Sequence, residues 1–135
     1  MAGYTTEQIR NVTMVGAAGS GKTSLVEAML HSAGVIGRQG RVEDGTTVSD
    51  FEELEKEIHH SISSAVVHFD YDGAHLNLID TPGTPDFLGQ AIATFPAVET
   101  VMVVIDATKG VETVARRVMR LAAERDLPRF VVLNR

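Results

Sequence analysis

Residues 16–23 read Gly16-Ala17-Ala18-Gly19-Ser20-Gly21-Lys22-Thr23 and satisfy the pattern G-x-x-x-x-G-K-S/T at every fixed position. The apolar run Val12-Thr13-Met14-Val15 comes just before, and a helical spacing of apolar residues begins near Lys22. Strand, glycine turn and helix in that order constrain the fold strongly. Glycines at 16, 19 and 21 let the backbone wrap tightly with its N–H groups turned inward, where they and the N-terminus of the next helix meet an anion. The pattern therefore points to the phosphates of a nucleotide. Gly16, Ala17, Ala18, Gly19, Ser20, Gly21, Lys22, Thr23 and the adjoining Ser24 are the phosphate-binding candidates. Lys22 would reach the outer phosphates as a point charge, and the Thr23 hydroxyl would ligate Mg2+.

The 135 residues fit one domain with a real core, and two Tyr, five Phe and no Trp make that core aliphatic. A formal charge of −6 argues against a broad nucleic-acid surface, so no direct DNA binding is expected. Cysteine is absent, which removes disulfides and thiolate metal sites. No run of 18 apolar residues exists, so no membrane role is expected. The N-terminus lacks a basic region followed by an apolar one, so the expected compartment is the cytoplasm.

Taken in order, residues 1–9 read as a polar lead-in, and Val12 to Val15 as a central strand covered on both faces. Leu25, Val26, Met29 and Leu30 give a helix from Lys22 to about Ser32, stopped by Gly34. Residues 34–60 are irregular and polar, broken by four glycines, with a short helix expected over residues 50–58 from Phe51, Leu54 and Ile58. Asp72-Gly73 predicts a tight turn in an antiparallel hairpin of residues 65–70 and 75–79. His68 and His75 within it have packing or exposed roles rather than a metal. The second strand runs into Asp80-Thr81-Pro82-Gly83, where a carboxylate can meet phosphate-bound Mg2+ and Gly83 can offer a backbone N–H to the terminal phosphate. A helix is expected over residues 86–94 and a buried strand over residues 101–105. Another helix presents Val111, Val114, Ala115, Val118, Leu121 and Ala122, with a solvated face of arginines. The last strand holds residues 130–133. Helices between buried strands give a three-layer α/β fold, mostly parallel, with one antiparallel hairpin.

The loop at 16–23, His59-His60-Ser61-Ile62, Asp80-Thr81-Pro82-Gly83 followed by Asp86-Phe87, and Asn134 together resemble the guanine-nucleotide domain of translational GTPases. The resemblance is closest to elongation factor G and its bacterial elongation-factor-G-like paralogues, and runs from about Arg10 to Arg135. It implies a P-loop NTPase fold, GTP or GDP as ligand, Mg2+ as cofactor, and a ribosomal partner for the full-length protein. Residues 10–135 would be a partial GTP-binding domain that stops before its guanine-recognition motif is complete. Residues 34–62 would be switch I and residues 80–95 switch II. Thr23, Ser61 and Asp80 would surround Mg2+, Asn134 would face the guanine, and Lys22, Gly83 and Thr84 would carry catalysis.

Three features depart from that family. Thr84 occupies the place of the histidine that positions the attacking water, so weak intrinsic hydrolysis is expected. Gly19-Ser20 replaces Asp-Ala in the loop, removing an acidic group that helps hold a monovalent cation. Arg135 stands where Asn-Lys-x-Asp has its lysine. Two other readings stay open: a non-catalytic, nucleotide-gated binding module, and a different P-loop enzyme using ATP.

Overall fold

The computed structural model describes residues 3–49 and 61–134. The helix expected over residues 50–58, and His59-His60, lie outside the described residues. Five strands form one sheet: β1 (Ile9–Val15), β2 (Ala65–Tyr71), β3 (Ala74–Asp80), β4 (Thr100–Asp106) and β5 (Arg129–Asn134). Their spatial order is β2-β3-β1-β4-β5. β2 runs antiparallel to β3, and the pairings β1 with β3, β1 with β4 and β4 with β5 are parallel. The helices are α1 (Lys22–Ser32), α2 (Leu88–Ala93) and α3 (Thr113–Ala123). This is the mostly parallel three-layer α/β fold expected from the sequence.

β4 shows why the sheet is buried on both sides. Val101, Val103 and Ile105 point to one face and pack with Val15, Leu88, Phe95, Ala115 and Val118. Met102 and Val104 point to the other and pack with Met14, Val26, Leu30, Val67 and Leu78. A strand covered twice must be apolar at successive positions, which accounts for its unbroken run.

β1 begins earlier than its apolar run. Ile9, Arg10 and Asn11 already pair with His75, Leu76 and Asn77, because ladder hydrogen bonds need backbone rather than apolar side chains. The hairpin turn holds Asp72 at φ 48° and Gly73 at φ 77°, two successive positive values that suit the right-handed twist of the flanking strands. α1 ends as expected at Gly34, whose φ of 73° lets Val35 N–H reach Leu30 O at 3.0 Å.

Two helix starts differ from expectation. Residues Pro85–Phe87 form a 3-10 turn before α2, with Phe87 N–H donating to Thr84 O at 3.1 Å. Val111 is exposed and lies outside α3, whose buried stripe is Ala115, Val118 and Ala122. Arg116, Arg117 and Arg120 face solvent as a helix surface requires, whereas Arg125 lies over the Phe95 ring at 5.3 Å.

Candidate functional site

The C-terminal ends of β1, β3, β4 and β5 converge on the loop at residues 16–23. In an open α/β sheet, the crevice beyond the strand carboxyl ends is where ligands bind. Three glycines shape the loop by necessity. A Cβ on Gly16 would run into the carbonyl oxygen of Val104, so only glycine lets the loop leave β1 against β4. Gly19 at φ 73° and Gly21 at φ 88° adopt the left-handed backbone that L side chains avoid. Gly21 is also the N-cap of α1, so the helix begins at Lys22 with its first N–H groups facing the loop.

Lys22 is almost wholly buried, and its Nζ donates to Gly16 O and Ala17 O, each at 3.1 Å. Gly83 comes up against the same loop. A Cβ there would stand 2.5 Å from Lys22 Nζ and 2.6 Å from Ala18 N. The Asp-x-x-Gly segment after β3 is thus pressed onto the loop through the one residue that lacks a side chain. Thr81 fixes the approach by donating its hydroxyl to Met14 O at 2.6 Å.

The three residues expected around a cation meet at one point. Thr23 Oγ1 donates to Asp80 Oδ2 at 2.8 Å and lies 3.4 Å from Ser61 Oγ. Asp80 is 1% exposed, so this carboxylate is held at the floor of the crevice rather than on its rim. Ser61 comes from a segment far along the chain from Thr23, yet reaches it. Thr84 follows at the start of the 3-10 turn, and its Oγ1 is buried with no hydrogen-bond partner among the described residues. Asn134 closes the crevice on the other side, donating its side-chain amide to Ser20 O at 3.0 Å. A Cβ on Gly21 would collide with that amide, which gives Gly21 a second reason to be glycine.

Two buried carboxylates beside the crevice are not visible in the sequence pattern. Glu27 is fully buried in α1 and accepts hydrogen bonds from the backbone N–H groups of Gly40, at 2.8 Å, and Val48, at 2.6 Å. It docks the irregular segment after α1 onto the helix that carries Lys22 and Thr23. A carboxylate three residues before the core residue Leu30 was the available signal. Asp106, at the end of β4, is buried too, and its Oδ1 accepts from Thr108 N at 2.9 Å and Thr108 Oγ1 at 2.6 Å. That bonding shapes the loop behind the crevice. Among the described residues, His68 and His75 lie on the β2–β3 hairpin with Asp70 and Tyr4, and form no part of the crevice.

The family model for the elongation factor Tu GTP binding domain matches residues 7–135. An elongation factor G-like protein of Mycobacterium tuberculosis is 41% identical over 127 residues, covering 94% of this chain and 18% of that protein. Peptide chain release factor 3 of Lactobacillus acidophilus is 34% identical over 133 residues, covering 96% of this chain and 25% of that protein. A crystal structure from Thermus thermophilus superposes with a TM-score of 0.89 at 37% identity, covering 93% of this chain and 19% of that one. The chain therefore spans about a fifth of the length of such relatives. It belongs to the family of elongation factor Tu GTP-binding domains, and is a GTP-binding module of the translation-factor kind.

Proposed function

We propose that this chain is the nucleotide-operated part of a longer ribosome-acting factor of the cytoplasm, binding GTP or GDP with Mg2+ and changing the placement of residues 34–62 and 80–95 with the nucleotide. The observation that carries the reading is the meeting of Thr23, Asp80 and Ser61 beside Lys22 and Gly83. Two hydroxyls and a carboxylate are hard oxygen donors, which suit Mg2+. When bound there, Mg2+ neutralises charge on the phosphates. The residues of the chain do the rest. Backbone N–H groups of residues 17–23 hold phosphate oxygens, Lys22 turns its ammonium from the Gly16 and Ala17 carbonyls to the outer phosphates, and the Gly83 N–H meets the terminal phosphate. Asn134 faces the base from the end of β5.

Hydrolysis needs an aligned water as well as this charge stabilisation. Thr84 stands at the corresponding place with a short side chain and a hydroxyl of high pKa, a poor proton acceptor beside an imidazole. Slow intrinsic turnover follows, together with dependence on a partner. A non-catalytic, nucleotide-gated module is the second reading, favoured by the same Thr84. Calorimetry of the intact protein with GTP, GDP and ATP tests the assignment, alongside Lys22→Ala. Charge-assisted hydrogen bonds contribute roughly 1.5–3 kcal/mol each, so the variant should lose most of its affinity. Binding unaffected by Lys22→Ala, or a preference for ATP, would defeat the guanine-nucleotide reading.

A further inference from the structure

Lys109 lies outside every motif that led to the site. It sits on the loop after β4, and its Nζ is 3.8 Å from the position that a Cβ on Gly19 would occupy. The ammonium group therefore lies where a side chain at the middle of the 16–23 loop would otherwise project. The loop that carries it is well fixed. Lys109 N–H and Gly110 N–H donate to Asp106 O at 3.1 and 2.9 Å, and Gly110 turns the chain at φ 74°. Ala107 N–H donates to Asn134 O at 2.9 Å, while the Asn134 side chain donates to Ser20 O at 3.0 Å. One residue at the end of β5 thus ties the Lys109 loop to the 16–23 loop.

The charge placement is informative. Among the described residues no carboxylate pairs with Lys109, so no ion pair holds its ammonium away from the loop. Its ammonium instead stands beside the 16–23 loop at Gly19, while Lys22, at the end of that loop, holds Gly16 O and Ala17 O. Two cations set along one short loop both favour an anion of more than one charge bound there, which offsets their mutual repulsion. A nucleotide polyphosphate is such an anion. We infer that Lys109 is a second cationic ligand of the nucleotide's phosphate chain, reaching it from the β4 side across the gap left by Gly19. This rests on the nucleotide reading above and adds to it a contact that the 16–23 motif does not contain.

The test measures the affinities of GDP and a non-hydrolysable GTP analogue for the intact protein, its Lys109→Ala variant and its Lys109→Arg variant, at low and high salt. The melting temperature of each nucleotide-free protein is recorded in parallel. Lys109→Ala should weaken both nucleotides by about tenfold at low salt, the size of one charge-assisted hydrogen bond. The loss should shrink at high salt, Lys109→Arg should keep most of the affinity, and the melting temperatures should agree. Unchanged affinity in Lys109→Ala overturns the inference, as does a loss insensitive to salt or one shared fully by Lys109→Arg. Failure of the wild-type protein to bind either nucleotide would instead overturn the nucleotide reading on which it rests.

Discussion

The Val48 amide donates to Glu27 across 21 residues of sequence, at 2.6 Å, and the accepting residue, on α1, is fully buried. The Gly40 amide takes the other oxygen, so a single side chain holds two points of the segment proposed as switch I. Glu27→Ala would leave two N–H groups without an acceptor, and each such hydrogen bond to a charged group is worth about 1.5–3 kcal/mol. We expect faster hydrogen exchange at Gly40 and Val48, with α1 itself remaining protected. Glu27→Gln should give an intermediate result, because its amide offers one acceptor where two are used. Equal exchange in all three proteins would show that the segment is held by something else. Comparing GDP with a non-hydrolysable GTP analogue tests the switch directly: protection over residues 34–62 should rise with the triphosphate.

Asp80 accepts from the Thr23 hydroxyl at the place proposed for Mg2+. Asp80→Asn keeps the shape and a hydrogen-bond acceptor but removes the negative charge. The expected outcome is a nucleotide affinity that scarcely differs between Mg2+ and EDTA, whereas the wild type should bind more tightly with Mg2+. Isothermal titration under both conditions provides the comparison, and a full Mg2+ dependence in Asp80→Asn would remove Asp80 from the metal set.

Thr84 sets an expectation for turnover. A positioned general base commonly contributes about 10²–10⁴-fold to a rate. Thr84→His should therefore raise single-turnover GTP hydrolysis by the intact protein at least about tenfold, in the presence of ribosomes above all. Rapid hydrolysis by the wild type without any partner would contradict the assignment of Thr84 as the weak point.

The hairpin supplies a pH dependence. The Tyr4 hydroxyl donates to Asp70 Oδ2 at 2.6 Å, and His75 Nδ1 lies 2.7 Å from Asp70 Oδ1. The Tyr4 bond, followed by the His75 bond, holds the Asp70 carboxyl below its usual range. Asn11 does the same for Glu99 through its side-chain amide and backbone N–H. A carboxyl with a lowered folded value binds protons more readily when unfolded, so its contribution is present above the ordinary carboxylate range and is lost as pH falls through the lowered value. Both sites are on the surface, so the effect is local and small. NMR titration should show the Tyr4 resonances shifting on acidification as its charge-assisted bond weakens, and Asp70→Asn should give the shifted position already at neutral pH. A Tyr4 environment constant across the acid range in the wild type would refute this.

Much of this arrangement was legible because local chemistry and tertiary context agree. Asp72-Gly73 can make few turns other than the one found, and β4 had to be apolar throughout once both faces were covered. The crevice was legible for the same reason, since Gly16, Gly19, Gly21, Lys22 and Thr23 each answer a local demand. Glu27 was not. Apolar spacing describes a helix by what it buries in oil, and a buried carboxyl makes sense only when the amides that face it, 13 and 21 residues away, are known. Tyr4 reads as part of a polar lead-in, but its partner Asp70 is 66 residues away and no local pattern links them. The start of α2 depends on whether the chain after Pro85 closes i to i+3 or i to i+4, which residue pattern does not distinguish; the chain closes i to i+3 there and the helix begins at the buried Leu88.

The parallel pairing of β1 has a consequence for how the chain is made. β1 is bonded to β3 on one side and β4 on the other, and Asn11 meets Glu99 88 residues further along. Synthesis adds about 5–20 residues per second, so β1 and its glycine loop leave the exit tunnel seconds before either neighbour exists to fix them. Val104, whose carbonyl shapes the first turn of the loop, arrives near the end of that interval. A nascent chain stopped before β4 should then carry the whole motif at residues 16–23 and still fail to capture a nucleotide.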